Sequence, residues 1–208
     1  MSKLDLKKDL KNLYNPSAKE VSVIEVPTMS FIMIDGAGSP NTAPEFPEAI
    51  EALYGAAYTL KFCLKKSGVG PEFAVMPLEG LWWMDDMTQF SMENKDQWKW
   101  TLMIAQPDFI TGDMVDGAIK QLRTKKDSEA VSRLRFDSLD EETAVQIMHI
   151  GPYSEESPTI ARLHEFAKSN GYELVGRHHE IYLSDPRRCA PEKLKTIIRQ
   201  PVSGKVEG

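Results

Sequence analysis

A glutamate in the middle of a run built for a β-strand is the residue of this chain with the most chemistry to offer. It is Glu180, within Arg177-His178-His179-Glu180-Ile181-Tyr182-Leu183. Charged side chains are poorly favoured at such positions. Strand alternation puts His178, Glu180 and Tyr182 on one face and His179, Ile181 and Leu183 on the other. The second set holds the isoleucine and leucine and is expected against a helix. The acid, phenol and imidazole are then expected to face a groove. A carboxylate in aromatic surroundings can neutralise a cationic ligand. With its pKa raised by desolvation, it can instead act as a general base on a water. A glutamate on a solvated sheet face is the plain alternative.

Aromatic residues are the second concentration. Trp82, Trp83, Trp98 and Trp100 are all the tryptophans of the chain and fall within nineteen residues. Alternation separates Trp82 from Trp83 and keeps Trp98 and Trp100 on a shared face. Core packing would use such residues. A flat ligand stacked in a groove would use them too, and indole carries an N–H that wants a partner. Other chemistry is not indicated. GxSxG, P-loop, HExxH and Rossmann patterns are missing, and Gly36-Ala37-Gly38 reads as a turn. His149, His164, His178 and His179 lack zinc-ligand spacing. Cys63 and Cys189 lie 126 positions apart, without CxxC or Cys/His spacing. No metal and no cofactor is expected.

The elements that must carry these residues repeat in order. A polar leader, residues 1–19, holds a short amphipathic piece and ends at Asn15-Pro16. Val21–Val26 reads as a strand, continued by Phe31–Ile34. From Pro44 to Ser67, Ile50, Leu53, Tyr54, Ala57, Leu60 and Leu64 recur at helical spacing, and Gly68 stops the helix. Phe73–Met84 and Trp98–Ala105 read as a hairpin around an acidic loop, Asp85 to Asp96. Ile110–Thr124 is a helix with Thr111 as its N-cap. Thr143–Ile150, the helix Ser154–Asn170, and strands Tyr172–Leu183 and Leu194–Val202 then repeat the order, before a tail at 203–208. The expectation is an α+β fold of two pseudo-symmetric strand-helix-strand-strand units, about 20–110 and 130–202. Their antiparallel sheets would form a central ligand cleft.

Bulk properties narrow the partners. The chain has 208 residues, 41% hydrophobic and 27% charged, as an ordinary globular protein does. A net charge of -6 argues against a nucleic-acid partner, because phosphate binding draws on clustered Lys and Arg. No signal-peptide core and no 18-residue apolar stretch is present, so no membrane partner is expected and the cytoplasm is the default location.

Gly151-Pro152-Tyr153, the following helix, and His179-Glu180-Ile181-Tyr182-Leu183-Ser184-Asp185-Pro186 resemble the C-terminal part of the GyrI-like small-molecule-binding family. Pro77-Leu78-Glu79-Gly80-Leu81-Trp82-Trp83 and Trp98 through Pro107 are similar to its stand-alone bacterial branch, so the likeness spans about residues 20–202. It implies two strand-helix-strand-strand units around a cleft, with Glu180 as the carboxylate that meets cationic or electrophilic aromatic compounds. Tyr54, Trp82, Trp83, Trp98, Trp100 and His178 would contact a planar ligand. Tyr182 or Tyr153 would assist Glu180. Some members are effector domains joined to a DNA-binding module, which is not expected here with about twenty residues before the first strand. Others resemble cyclopropanoid cyclopropyl hydrolases, which detoxify strained, DNA-alkylating compounds. Still others bind gyrase. Hydrolysis, drug sequestration and an interaction with gyrase or a regulator all stay open, as does a homodimer.

Overall fold

The computed structural model describes residues 3–86, 95–126 and 128–205. Most of the acidic loop expected at Asp85–Asp96 lies outside them. In chain order the elements are α1 (Leu6–Asp9), α2 (Lys11–Tyr14), β1 (Ser22–Val26), β2 (Met29–Ala37), α3 (Glu45–Ser67), β3 (Leu78–Trp83), β4 (Lys99–Gln106), α4 (Gly112–Arg123), α5 (Glu129–Ser132), β5 (Arg135–Leu139), β6 (Glu142–Ile150), α6 (Ser157–Ser169), β7 (Tyr172–Leu174), β8 (His178–Tyr182) and β9 (Lys195–Lys205). No helix among the described residues is long and apolar enough to cross a membrane. The chain divides into two compact units. One holds residues 1–6 and 29–139, the other 7–28 and 140–208. β1 and β2 therefore belong to different units, and Phe31–Ile34 does not continue the first strand. The two residues Pro27 and Thr28 separate them.

In the first unit the strands run β3-β4-β2-β5, all antiparallel. α3 forms because small and aliphatic residues recur at three and four positions. Ala49, Ala52, Leu53, Ala56, Leu60 and Leu64 make the buried stripe. It ends at Gly68, whose φ of 68° is the left-handed conformation that glycine adopts at a helix C-terminus. α4 opens as expected, the Thr111 side chain accepting from the Met114 N–H. Trp82 and Trp100 stand directly opposite each other in the β3–β4 pair. Phe46 of α3 packs against both, at ring-centroid distances of 5.8 and 5.4 Å. Gly36 is required beneath them: a Cβ there would come within 2.1 Å of the Trp100 ring.

The second unit has the order β1-β6-β9-β8, also antiparallel, with β7 further along β9. Hairpin strand, hairpin strand, first strand and outer strand thus follow the same order in both units, as the repeat implies. α6 lays Leu163 and Ala167 on Val145, Ile147, Ile198 and Val202. The strand expected over Tyr172–Leu183 is broken in two. Gly176 takes a φ of 66°, and the Val175 N–H bonds the Pro201 carbonyl at the break. β9 instead runs beyond its expected end at Val202 to Lys205, because β7 pairs with residues 202–205.

Candidate functional site

The cross-strand register decides which face Glu180 occupies. In an antiparallel sheet, residues directly opposite each other share a face. Glu180 stands opposite Ile198, and Ile198 opposite Ile147. Both isoleucines belong to the core beneath α6. Glu180, with His178 and Tyr182, is therefore on the α6 face, and the expected orientation is reversed. Alternation along one strand yields two sets of residues, but only the neighbouring strands say which set meets the helix. The opposite face is covered as well, which is why it also carries Ile181.

On the α6 face the acid is held at both oxygens. Glu180 Oε1 lies 3.0 Å from His178 Nε2, and Oε2 accepts the Tyr182 hydroxyl at 2.7 Å. His178 is buried and the Glu180 side chain only slightly exposed. Tyr153, in the helical turn before α6, sets its ring edge-on to Tyr182 with centroids 5.6 Å apart. The structure thus brings Glu180, Tyr182, Tyr153 and His178 together. His164 of α6 lies near enough to His178 for the two imidazoles to interact electrostatically.

These contacts set the protonation states. Burial pushes the Glu180 carboxyl upward, but the hydrogen bond and positive charge of His178, then the Tyr182 hydroxyl, outweigh it. The carboxyl is held below its ordinary value, not raised as expected from desolvation alone, and is ionised at neutral pH. Tyr153 is pushed up to about 12, first by burial and then by the carboxylates of Glu156 and Glu180. Its phenol keeps its proton. His164 is held below the ordinary imidazole value by burial and by the charge on His178. The arrangement can therefore accept a proton at Glu180, while Tyr153 can donate one. The Tyr182 proton is already engaged by the acid.

The remaining predicted site residues lie in the first unit. Trp82, Trp98 and Trp100 are buried, Trp82 meeting Trp98 edge-on at 5.4 Å and Phe46 at 5.8 Å. Trp100 is 0% exposed and packs in the core of this structure. Its indole N–H has no acceptor among the described residues. Trp83 takes the other face of β3 and is partly exposed. Tyr54 on α3 stacks with Tyr58 at 6.3 Å and is also partly exposed.

A buried polar network escaped the sequence. His179, Arg199 and Gln146 stand side by side across β8, β9 and β6. Glu141 reaches His179 Nδ1 at 3.0 Å and Arg199 Nη1 at 3.3 Å. Arg199 also donates to Gln146 and to the Leu13 carbonyl, while Gln146 donates to the Asn12 carbonyl. Glu141 is held at about 2 against its burial by the charges and hydrogen bonds of His179 and Arg199. Within Asp140-Glu141-Glu142 nothing sets it apart, and the signal was Arg199, a charge directly after Ile197 and Ile198 in a strand. Among the described residues no group of three or more His, Cys, Asp or Glu could hold a metal ion.

Comparison with solved structures places this arrangement among relatives. The chain is similar to an uncharacterized conserved protein from Listeria innocua, at 40% identity and a TM-score of 0.90, over 97% of this chain and 100% of that one. It is equally similar to a hydrolase from Listeria innocua, at 40% identity and a TM-score of 0.84 over the same shares. The EcmrR C-terminal domain shares the fold, at 14% identity and a TM-score of 0.59, over 88% of this chain and 97% of that one. No curated protein matches the chain. The GyrI-like small molecule binding domain matches residues 19–203, and with nearly the whole chain so covered, the protein belongs to the GyrI-like family.

Proposed function

We propose that the protein binds a planar, partly apolar small molecule beside Glu180 and opens a strained cyclopropane ring in it by adding water. The observation that carries this reading is an ionised carboxylate, held at both oxygens and close to a phenol that keeps its proton. The relation to a hydrolase of Listeria innocua at 40% identity supports it. In the step, the water oxygen bonds to a ring carbon while Glu180 takes one water proton. The ring carbon–carbon bond breaks, and its electron pair moves into a conjugated carbonyl group. The oxygen of that group takes a proton from Tyr153, which recovers one from Glu180 through solvent, so that the product is substrate plus water. Tyr182 orients the acid. Positioning supplies most of the acceleration, because the strained ring already stores the driving energy.

Glu180→Gln tests the assignment. The amide keeps the shape and an acceptor oxygen, so binding of a neutral ligand persists while turnover falls by about 10²–10⁴-fold. Undiminished turnover would remove Glu180 from the base role. One observation favours a second reading, sequestration without turnover or action on gyrase or a regulator: a carboxyl held below its ordinary value is a weaker base. A stoichiometric complex with unchanged ligand would select the sequestering form of that reading.

A further inference from the structure

We propose that the outer face of α3 is a self-complementary docking surface, on which a second copy of this chain lays its own α3 antiparallel. The surface lies within the first unit and is independent of the reading of Glu180. Along α3, Pro47, Glu51, Tyr54, Tyr58, Phe62 and Lys65 recur at three- and four-residue steps and so form one stripe. None of the six is buried, unlike Ala49, Leu53, Leu60 and Leu64 on the inner side. The three rings stack in sequence, Tyr54 on Tyr58 at 6.3 Å and Tyr58 on Phe62 at 6.2 Å. Yet Tyr58 is 45% and Phe62 60% exposed. A contiguous row of exposed rings marks a surface that meets a partner.

The charges along the stripe select that partner. Glu48 and Glu51 lie toward its N-terminal end, Lys61 and Lys65 toward its C-terminal end. The helix dipole accounts for such a bias only in the terminal turns. Glu51 and Lys61 lie inside them, so the polarity reaches the ring ladder itself. A helix with this pattern complements its own reverse. With a two-fold axis near Ala56, Tyr54 of each copy meets Tyr58 of the other, and Ile50 meets Phe62. Glu51 then meets Lys61, and Glu48 comes near Lys65. A parallel pairing would set acid against acid. The antiparallel one is closed and stops at two copies. Within the chain, Glu51 pairs with Lys126 and Lys65 with Glu72, both in solvent, where ion pairs contribute little and can exchange. The Lys61 ammonium already lies over the Tyr58 ring, 5.9 Å from its centroid. One helix pair is a small interface, so the dimer is a reversible one.

Sedimentation equilibrium of the full chain tests the pairing in wild type, Tyr58→Ser/Phe62→Ser, Lys61→Glu/Lys65→Glu and Glu48→Lys/Glu51→Lys. Thermal melts verify that each variant is folded. The wild type should reach the dimer mass as concentration rises, with no larger species. The aromatic variant should dissociate about tenfold more readily or beyond. Each charge-reversed variant alone should weaken likewise, because like charges then face each other. An equimolar mixture of the two should form a heterodimer, since reversal at opposite ends restores every pair. A wild type that stays monomeric up to about 1 mM would overturn the proposal. So would a dimer that the aromatic variant leaves unchanged; a planar probe such as 1-methylnaphthalene, bound by wild type and lost in that variant, would then make the ladder a ligand surface. A mixture that stays monomeric while the wild type dimerises would overturn the antiparallel pairing, and the proposal with it.

Discussion

Replacing Glu141 by glutamine tests whether the buried network of the second unit supports the fold as its geometry implies. The substitution removes the one carboxylate shared by His179 and Arg199 while keeping the shape. Arg199 is 2% exposed and cannot turn to water, so it would remain charged and uncompensated. Two routes give the magnitude. Holding the Glu141 carboxyl at about 2 rather than 4.5 corresponds to about 3 kcal/mol, at about 1.36 kcal/mol per pH unit. Breaking a buried pair by deleting one member costs about 3–5 kcal/mol. The two agree. The folded-state value is depressed, so the contribution is fully present above the unfolded value near 4.5 and is lost as pH falls toward 2. Urea unfolding of wild type and Glu141→Gln should therefore differ by about 3 kcal/mol at neutral pH, with the gap closing on acidification. A neutral-pH difference under about 1 kcal/mol, or a gap that widens in acid, would refute the reasoning.

Other expectations follow from single contacts. Gly36→Ala should destabilise the first unit by on the order of 3 kcal/mol in urea titrations, since its Cβ would enter the Trp100 ring space; a neutral effect would mean that ring moves freely. Thr111→Ala should cost about 1 kcal/mol through loss of the α4 cap, whereas Thr111→Ser should restore it. Tyr182→Phe removes a hydrogen bond that lowers the Glu180 carboxyl, so the acidic limb of kcat/KM against pH should move upward and kcat should fall on the order of tenfold. An unmoved limb would separate Tyr182 from the acid.

The sequence made α3 and α4 legible because their buried stripes and ends are written locally, in Leu53, Ala57, Leu60 and Gly68, and in Thr111 before Met114. The importance of Glu180 was legible for a similar reason, as a charge where a strand disfavours one. Its face was not, because the partners that fix it, Ile198 and Ile147, come from other strands. Gly176 signals a break only once β9 is there to be paired by both pieces. α5 and β5 sit in a short, polar stretch and were missed: Arg135–Leu139 alternates weakly, and its place beside β2 comes from long-range pairing. All four tryptophans were ambiguous between ligand surface and core, and the packing of Trp82 and Trp100 comes from Phe46, thirty-six residues or more away.

The most direct test of the central claim is turnover of a cyclopropane-bearing alkylating agent in heavy-oxygen water, with protein far below substrate and products followed by mass spectrometry. The account predicts one labelled oxygen in a ring-opened product formed over many turnovers, and its loss in Glu180→Gln. Unaltered compound bound mole for mole, or label incorporated equally by Glu180→Gln, would contradict it.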